Sequence, residues 1–203
     1  MNRSRRARTA AAALGVLLAG CAGSSGATPA PARTTAQPRP TVSTVAYRLP
    51  ACPDLPHRAA VPGGLPDLTL PCLGGGRSVR LADLRGAPTV LSVWAAWCQV
   101  CSEEMPVLAD GMRRAQDRVQ FFGVHYKAPE KFGEQSARDF GVAFPSVQDT
   151  DGDRTTLALR PLAGPPQTFF YAADGALAGR HAGAITTKAE LDELVQRYLG
   201  VPL

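Results

Sequence analysis

Two cysteines stand three positions apart in WCQVC, Trp97 to Cys101, with Cys98 first and Cys101 second. A pair at this spacing supports one of three chemistries: thiol–disulfide exchange, half of a metal site, or a structural cross-link. A tetrahedral zinc site needs a second pair or suitably spaced histidines. Cys52 and Cys72 are far apart and form no second CxxC, and His57, His125 and His181 show no ligand spacing. A cross-link between Cys98 and Cys101 would close a very small loop and restrain the unfolded chain little, because the entropy removed grows with loop length. Exchange fits better. An apolar run, APTVLSVWA (87–95), ends just before Cys98, and a helix is expected from Cys98 to about Ala115. A sulfur at that junction faces the unpaired N–H groups of the first turn and the positive end of the helix dipole. Both favour thiolate over thiol at Cys98. Cys101, one turn deeper, is placed to attack a mixed disulfide on Cys98 and release the product. Trp97 can shield one side of the sulfurs.

The elements that must hold this pair are legible as patterns. LPDLTL (65–70) and SVRLADL (78–84), separated by the Gly-rich CLGGG, read as a β-hairpin. The run at 87–95 is continuously apolar with β-branched residues, as in a strand buried on both faces. VQFFGVHY (119–126) repeats that pattern, APEKFGEQSARDFG (128–141) reads as a weaker helix, FPSVQD (144–149) as a short strand, and TTLALR (155–160) as one helical turn. QTFFYA (167–172) and ALAGRHA (176–182) flank Asp174-Gly175, a hairpin signal. Thr187 and Glu190 form a capping box, after which Leu191, Leu194, Val195, Tyr198 and Leu199 recur at helical spacing. Pro106 should kink the helix that follows Cys98. Strands alternating with helices, closed by a hairpin and a helix, predict an α/β fold: a mixed central sheet with helices on both faces.

The chain has 203 residues, of which 45% are hydrophobic and 19% charged, enough for one domain with a core and some extras. Its formal charge of +5 is concentrated at the start, in Arg3, Arg5, Arg6 and Arg8. Without those four, 18 of the 22 Lys and Arg remain against 17 Asp and Glu, so no basic surface is left to track phosphates and no nucleic-acid partner is expected. MNRSRRAR followed by the apolar Ala10–Gly20 reads as a leader too short to span a bilayer. It ends in LAGC (18–21), which resembles the bacterial lipobox, where the Cys is lipidated after cleavage. The expected organisation is a signal peptide at 1–20, lipidated Cys21 with a Pro/Ala/Ser/Thr-rich tether at 21–47, and a folded domain at 48–203. Ser4-Arg5-Arg6 offers a twin-arginine export route, but Ala7, Arg8 and Thr9 lack the hydrophobic pair expected next. Outside the cytoplasm disulfides persist. Cys52, Cys72, Cys98 and Cys101 then remain, and four cysteines allow three pairings.

WCQVC after an apolar strand resembles the active site of the thioredoxin-like superfamily, and LADLRGAPTVLSVWAAWCQVCSEEMP (81–106) is similar to its membrane-tethered TlpA/ResA-like branch. The resemblance covers roughly Gly64 to Leu199. It implies a thioredoxin-like fold with an added N-terminal β-hairpin and a central insertion. Pro106 matches the kinking proline of the active-site helix. AGPPQTFFYAADG (163–175) matches a G-x-P-x-T-F segment, which makes Pro166 a cis proline facing the cysteines. Thioredoxin proper carries a buried Asp six residues before the first Cys; that position is Ser92 here. The ResA-like branch carries a Glu six residues after it, which is Glu104 here; the bland alternative for Glu104 is a solvated first-turn carboxylate. Gln99-Val100 offers no His or Lys to steady a thiolate.

The implied activity is thiol–disulfide exchange by an exported, lipid-anchored oxidoreductase at the bacterial cell membrane. Cys98 is the nucleophile, Cys101 the resolving thiol, Glu104 a proton aid, Pro166 a groove residue and Trp97 a cover. No cofactor and no metal are required. The partners are cysteines of other exported proteins, apocytochrome c thiols among the candidates, and an extracytoplasmic redox partner. Cys52 and Cys72 are expected to staple the entry segment to the hairpin, with a second exchangeable pair as the rival. The alternative function is a copper-binding module with His125 or His181 as a further ligand, although such modules usually space their cysteines by three residues. A peroxidase would need Thr where Ala95 stands. DTDGD (149–153) has Arg154 and Arg160 where a calcium loop needs Gly and Glu, so it reads as a solvated turn. His125 ends a strand on the side where active sites sit and reads as a rim residue.

Overall fold

The structure, a computed structural model, describes residues 47–160 and 162–203. The leader, Cys21 and nearly all of the expected tether lie outside the described residues. In chain order the elements are β1 (Thr69–Pro71), β2 (Ser78–Arg80), a 3-10 turn (Leu81–Leu84), β3 (Thr89–Trp94), α1 (Cys101–Ala115), β4 (Gln120–Tyr126), α2 (Glu130–Phe140), β5 (Ser146–Asp149), α3 (Asp153–Ala158), β6 (Gln167–Tyr171), β7 (Leu177–Ala182) and α4 (Lys188–Leu199).

Every residue of β3 is buried, as its unbroken apolar pattern requires, and β3 lies at the centre of a five-stranded sheet ordered β5-β4-β3-β6-β7. It runs parallel to β4 and antiparallel to β6, while β4 and β5 are parallel and β6 and β7 antiparallel. The sheet is therefore mixed, and the fold is thioredoxin-like. Asp174-Gly175 makes the expected turn between β6 and β7: the Gly175 N–H donates to the Ala172 carbonyl and the Ala176 N–H to Asp174 Oδ1. In α4 the Thr187 hydroxyl accepts from the Glu190 N–H at 3.2 Å. The Glu190 carboxylate reaches back to the N–H of Thr186 rather than Thr187, a capping box displaced by one residue.

Side chains alternate across each strand. Val90, Trp94, Phe121 and Phe170 point to one face, where they pack against Met105 and Leu108 of α1, Ala137 of α2, and Leu191 and Val195 of α4. Leu91, Val93, Phe122, Val124, Phe169 and Tyr171 point to the other. The helices are unequally shared between the two faces, with α1, α2 and α4 packed on the first. That second face is covered mainly by the N-terminal extension, through Leu65, Leu70, Val79, Leu81 and Leu84, with Leu159 just beyond α3. Each fully buried aliphatic side chain contributes roughly 1.5–3 kcal/mol, so the extension is part of the core.

The expected hairpin is present but shorter than its pattern. Only Thr69–Pro71 and Ser78–Arg80 pair, and LADL coils into the 3-10 turn, where all four of its residues are buried. Cys52 and Cys72 are disulfide-bonded, which ties the entry segment to the end of β1. Cys72 also bridges to Val147, docking the hairpin on β5.

Candidate active site

Cys98 lies in the loop between β3 and α1, and its disulfide partner is Cys101. The helix begins at Cys101 rather than at Cys98. The loop makes two successive tight turns, in which the Cys98 N–H donates to the Ala95 carbonyl at 3.1 Å and the Cys101 N–H to the Cys98 carbonyl at 3.1 Å. The N-cap of α1 is Val100, and Cys98 stands two residues ahead of it. Its sulfur lies 3.2 Å from the Cys101 N–H, so one first-turn donor faces it, as the sequence implies. Cys98 keeps 6% of its surface exposed and Cys101 none, so Cys98 is the thiol an incoming group meets first.

Glu104 stands one turn beyond Cys101 on α1, and residues three apart on a helix are surface neighbours. It is fully buried rather than a solvated first-turn carboxylate. Ser92 Oγ donates to Glu104 Oε1 at 3.1 Å, and the Ile185 N–H donates to Oε2 at 3.4 Å. Burial pushes its carboxyl from the ordinary 4.5 up to about 7, against the opposing pull of those two hydrogen bonds. Ser92, which is no base itself, thus acts as the clasp of a carboxylate carried by the facing helix. That role was not legible from Ser92 alone.

Pro166 precedes β6, and the Pro165–Pro166 peptide bond is cis. The Ala163 N–H donates to Gln167 Oε1 at 3.1 Å, closing the loop ahead of β6. Trp97 is 58% exposed, and its indole N–H donates to the Lys127 carbonyl at 2.9 Å. The ring forms one wall of an open groove of about 400 Å³, shared with Ala128, Pro129 and Phe132.

His125 is not a rim residue. It is fully buried at the end of β4, beside Trp94 of β3 in register, with ring centroids 4.7 Å apart. Its Nε2 accepts from the Ala96 N–H at 3.3 Å, and its Nδ1 lies 2.8 Å from Gln148 Oε1. Gln148 in turn donates to the Ala128 carbonyl at 2.5 Å. Burial holds the imidazole below its usual range, and the Gln148 bond opposes that only in part. His181 lies on β7, 3.7 Å from Glu190. Among the described residues no three or more His, Cys, Asp or Glu gather as a metal-holding group, and neither histidine joins the cysteine pair in one.

Residues 63–179 match the model of the AhpC/TSA family. The chain is 33% identical over 135 residues to a thiol:disulfide interchange protein DsbE of Pseudomonas fluorescens biotype C, spanning 66% of this chain and 72% of that protein. It is also 33% identical over 129 residues to a thiol-disulfide oxidoreductase ResA of Geobacillus thermodenitrificans, spanning 63% of this chain and 72% of that protein. Among solved structures, MTB dsbF in its mixed oxidized and reduced forms superposes with a TM-score of 0.58 at 26% identity, covering 68% of this chain and 97% of that one.

Proposed function

The chain belongs to the AhpC/TSA family and is a thiol–disulfide oxidoreductase of the DsbE and ResA type, and from that premise we propose that Cys98 and Cys101 are its working pair. The observation that carries this is the bonded pair at the end of the central strand, with the buried Glu104 one helical turn along.

In the reducing direction the Cys98 thiolate attacks a substrate disulfide, forming a mixed disulfide and expelling one substrate thiolate. Cys101 loses its proton to Glu104 and attacks Cys98 Sγ. The second substrate thiolate leaves, and the chain retains the Cys98–Cys101 disulfide. Two electrons pass to the substrate, and the reverse sequence oxidises a dithiol. A buried thiol resists ionisation, so Cys101 needs an acceptor poised near its task, and a carboxyl at about 7 is one. Cys98 needs less help, because the Cys101 N–H and the start of α1 favour its thiolate. Trp97 and Pro166 would flank the approach of the substrate chain.

The same reading places the enzyme outside the cytoplasm, held to the membrane through lipid on Cys21, with the tether spacing a domain that starts near residue 48. The charged leader and LAGC support this, as does the likeness to DsbE and ResA proteins. Among the described residues no helix is long and apolar enough to cross a membrane. Substrates are cysteines of other exported proteins, apocytochrome c thiols among them, and Cys52–Cys72 is a staple rather than a second exchanging pair.

The test is equilibration of the domain with glutathione redox buffers, beside an insulin-type disulfide reduction assay and a Cu(I) titration. A two-electron transition that disappears in Cys98→Ser, with insulin reduction, supports exchange. Stoichiometric, tight Cu(I) binding without exchange would favour the copper-binding alternative.

A further inference from the structure

We propose that His125 is a positioning residue for the nucleophile: its Nε2 anchors the peptide unit between Ala95 and Ala96, and that unit holds the backbone of Cys98. The inference rests on the assignment of Cys98 as nucleophile and deepens it.

One peptide unit carries both contacts. Its N–H, on Ala96, donates to His125 Nε2 at 3.3 Å, and its carbonyl, on Ala95, accepts the Cys98 N–H at 3.1 Å. A trans peptide is rigid, with N–H and C=O pointing in opposite directions. Fixing one end from β4 therefore fixes the acceptor that sets the Cys98 turn at the other. A second strap lies close by, where the Trp97 indole N–H donates to the carbonyl of Lys127, two residues beyond His125.

The imidazole is itself held for this task. Accepting through Nε2 requires the proton on Nδ1, which then donates to Gln148 Oε1 at 2.8 Å. Trp94 packs against the ring at 4.7 Å between centroids. Gly133 of α2 closes the remaining side, where a Cβ would stand 2.6 Å from Nδ1. The elements around the ring thus present Trp94, Gln148, Gly133 and the Ala96 amide, none of them charged. Of the nearby titratable groups, Asp149 accepts from the Thr155 N–H, Lys127, Glu130 and Lys131 are exposed, and Glu134 is half-buried. On the same sheet face Glu104 is engaged by Ser92 and Ile185, and the two thiols titrate only when the pair is reduced. A neutral ring with a free Nε2 lone pair is the form this pocket suits, and burial keeps it so.

Two measurements test the assignment. Long-range ¹H–¹⁵N spectra of the full domain should show a neutral His125 with its proton on Nδ1 and an unprotonated, accepting Nε2; the opposite tautomer overturns the proposal. The pH profile of Cys98 alkylation in the reduced domain gives the second reading, and it reports the thiol whether or not the pair exchanges with proteins. His125→Phe keeps the ring packing but removes the acceptor. Losing a bond of this kind should raise the Cys98 midpoint by about half to one pH unit. His125→Gln, which can place an oxygen near the Nε2 position, should restore it, whereas His125→Asn, reaching only toward Gln148, should not. An unshifted midpoint in His125→Phe, or a shift in His125→Gln as large as in His125→Asn, overturns the proposal; the second comparison stands even if His125→Phe fails to fold.

Discussion

Replacing Glu104 by Gln should make the oxidised protein more stable at alkaline pH and leave it nearly unchanged at acid pH. Glu104 is fully buried and its carboxyl is raised from 4.5 to about 7. A folded-state value above the unfolded one means that the native state binds the extra proton between these limits. The stabilisation is complete below about 4.5 and is lost as pH rises through about 7. The displacement corresponds to roughly 3 kcal/mol, taken as an upper bound. Gln carries no charge to desolvate, so this loss vanishes in the variant. Its amide oxygen can accept from the Ile185 N–H while its NH₂ donates to Ser92 Oγ, so both contacts are kept. The gain at pH 8 then approaches that bound, roughly 3 kcal/mol. At pH 5 the two proteins should differ by less than about 1 kcal/mol. The assay is urea unfolding of both proteins at pH 5, 6, 7 and 8 without reductant. The quantity to read is the difference between the two curves, in which the other titrating groups cancel. Parallel curves would show that Glu104 is not a desolvated carboxyl and would remove the physical basis of its proton role.

Cys52→Ser together with Cys72→Ser should lower stability by up to about 3 kcal/mol in the chain-entropy model while the Cys98–Cys101 potential holds; a shifted potential would mean the two disulfides communicate. Gly133→Ala should cost about 1–3 kcal/mol, because the new methyl meets the His125 ring and Leu73 Cδ1 at 2.6–2.8 Å, as thermal unfolding would show. Cys21→Ala should release the protein from the membrane fraction with its exchange rate intact; retention in the membrane would mean a different anchor.

What the sequence made legible was whatever shows in local pattern. The unbroken apolar run at 87–95 gave the central strand, Asp174-Gly175 its hairpin, and Thr187 with Glu190 the start of α4. The cysteine pair announced itself by spacing and by its place after that strand. What escaped was set by contacts distant in sequence. Glu104 sits on a helix whose first turn is rich in acid, so its burial depends on Ser92 and Ile185 closing over it. His125 reads as the polar end of a strand. Its burial depends on α2 crossing at Gly133, a glycine that a helix pattern only weakens. LADL has the composition of a strand end but turns into the core because Leu81 and Leu84 meet the face that no long helix covers.

In the proposed exchange Cys98 makes and Cys101 breaks the bond to substrate. Its most direct test is capture with the Cys101→Ser protein in the cell envelope, followed by non-reducing separation and mapping of the joined cysteines. The expected result is mixed disulfides joined through Cys98 to cysteines of exported proteins, absent from Cys98→Ser and released by reductant. Adducts that form through Cys101 in the Cys98→Ser protein, with none through Cys98, would contradict it.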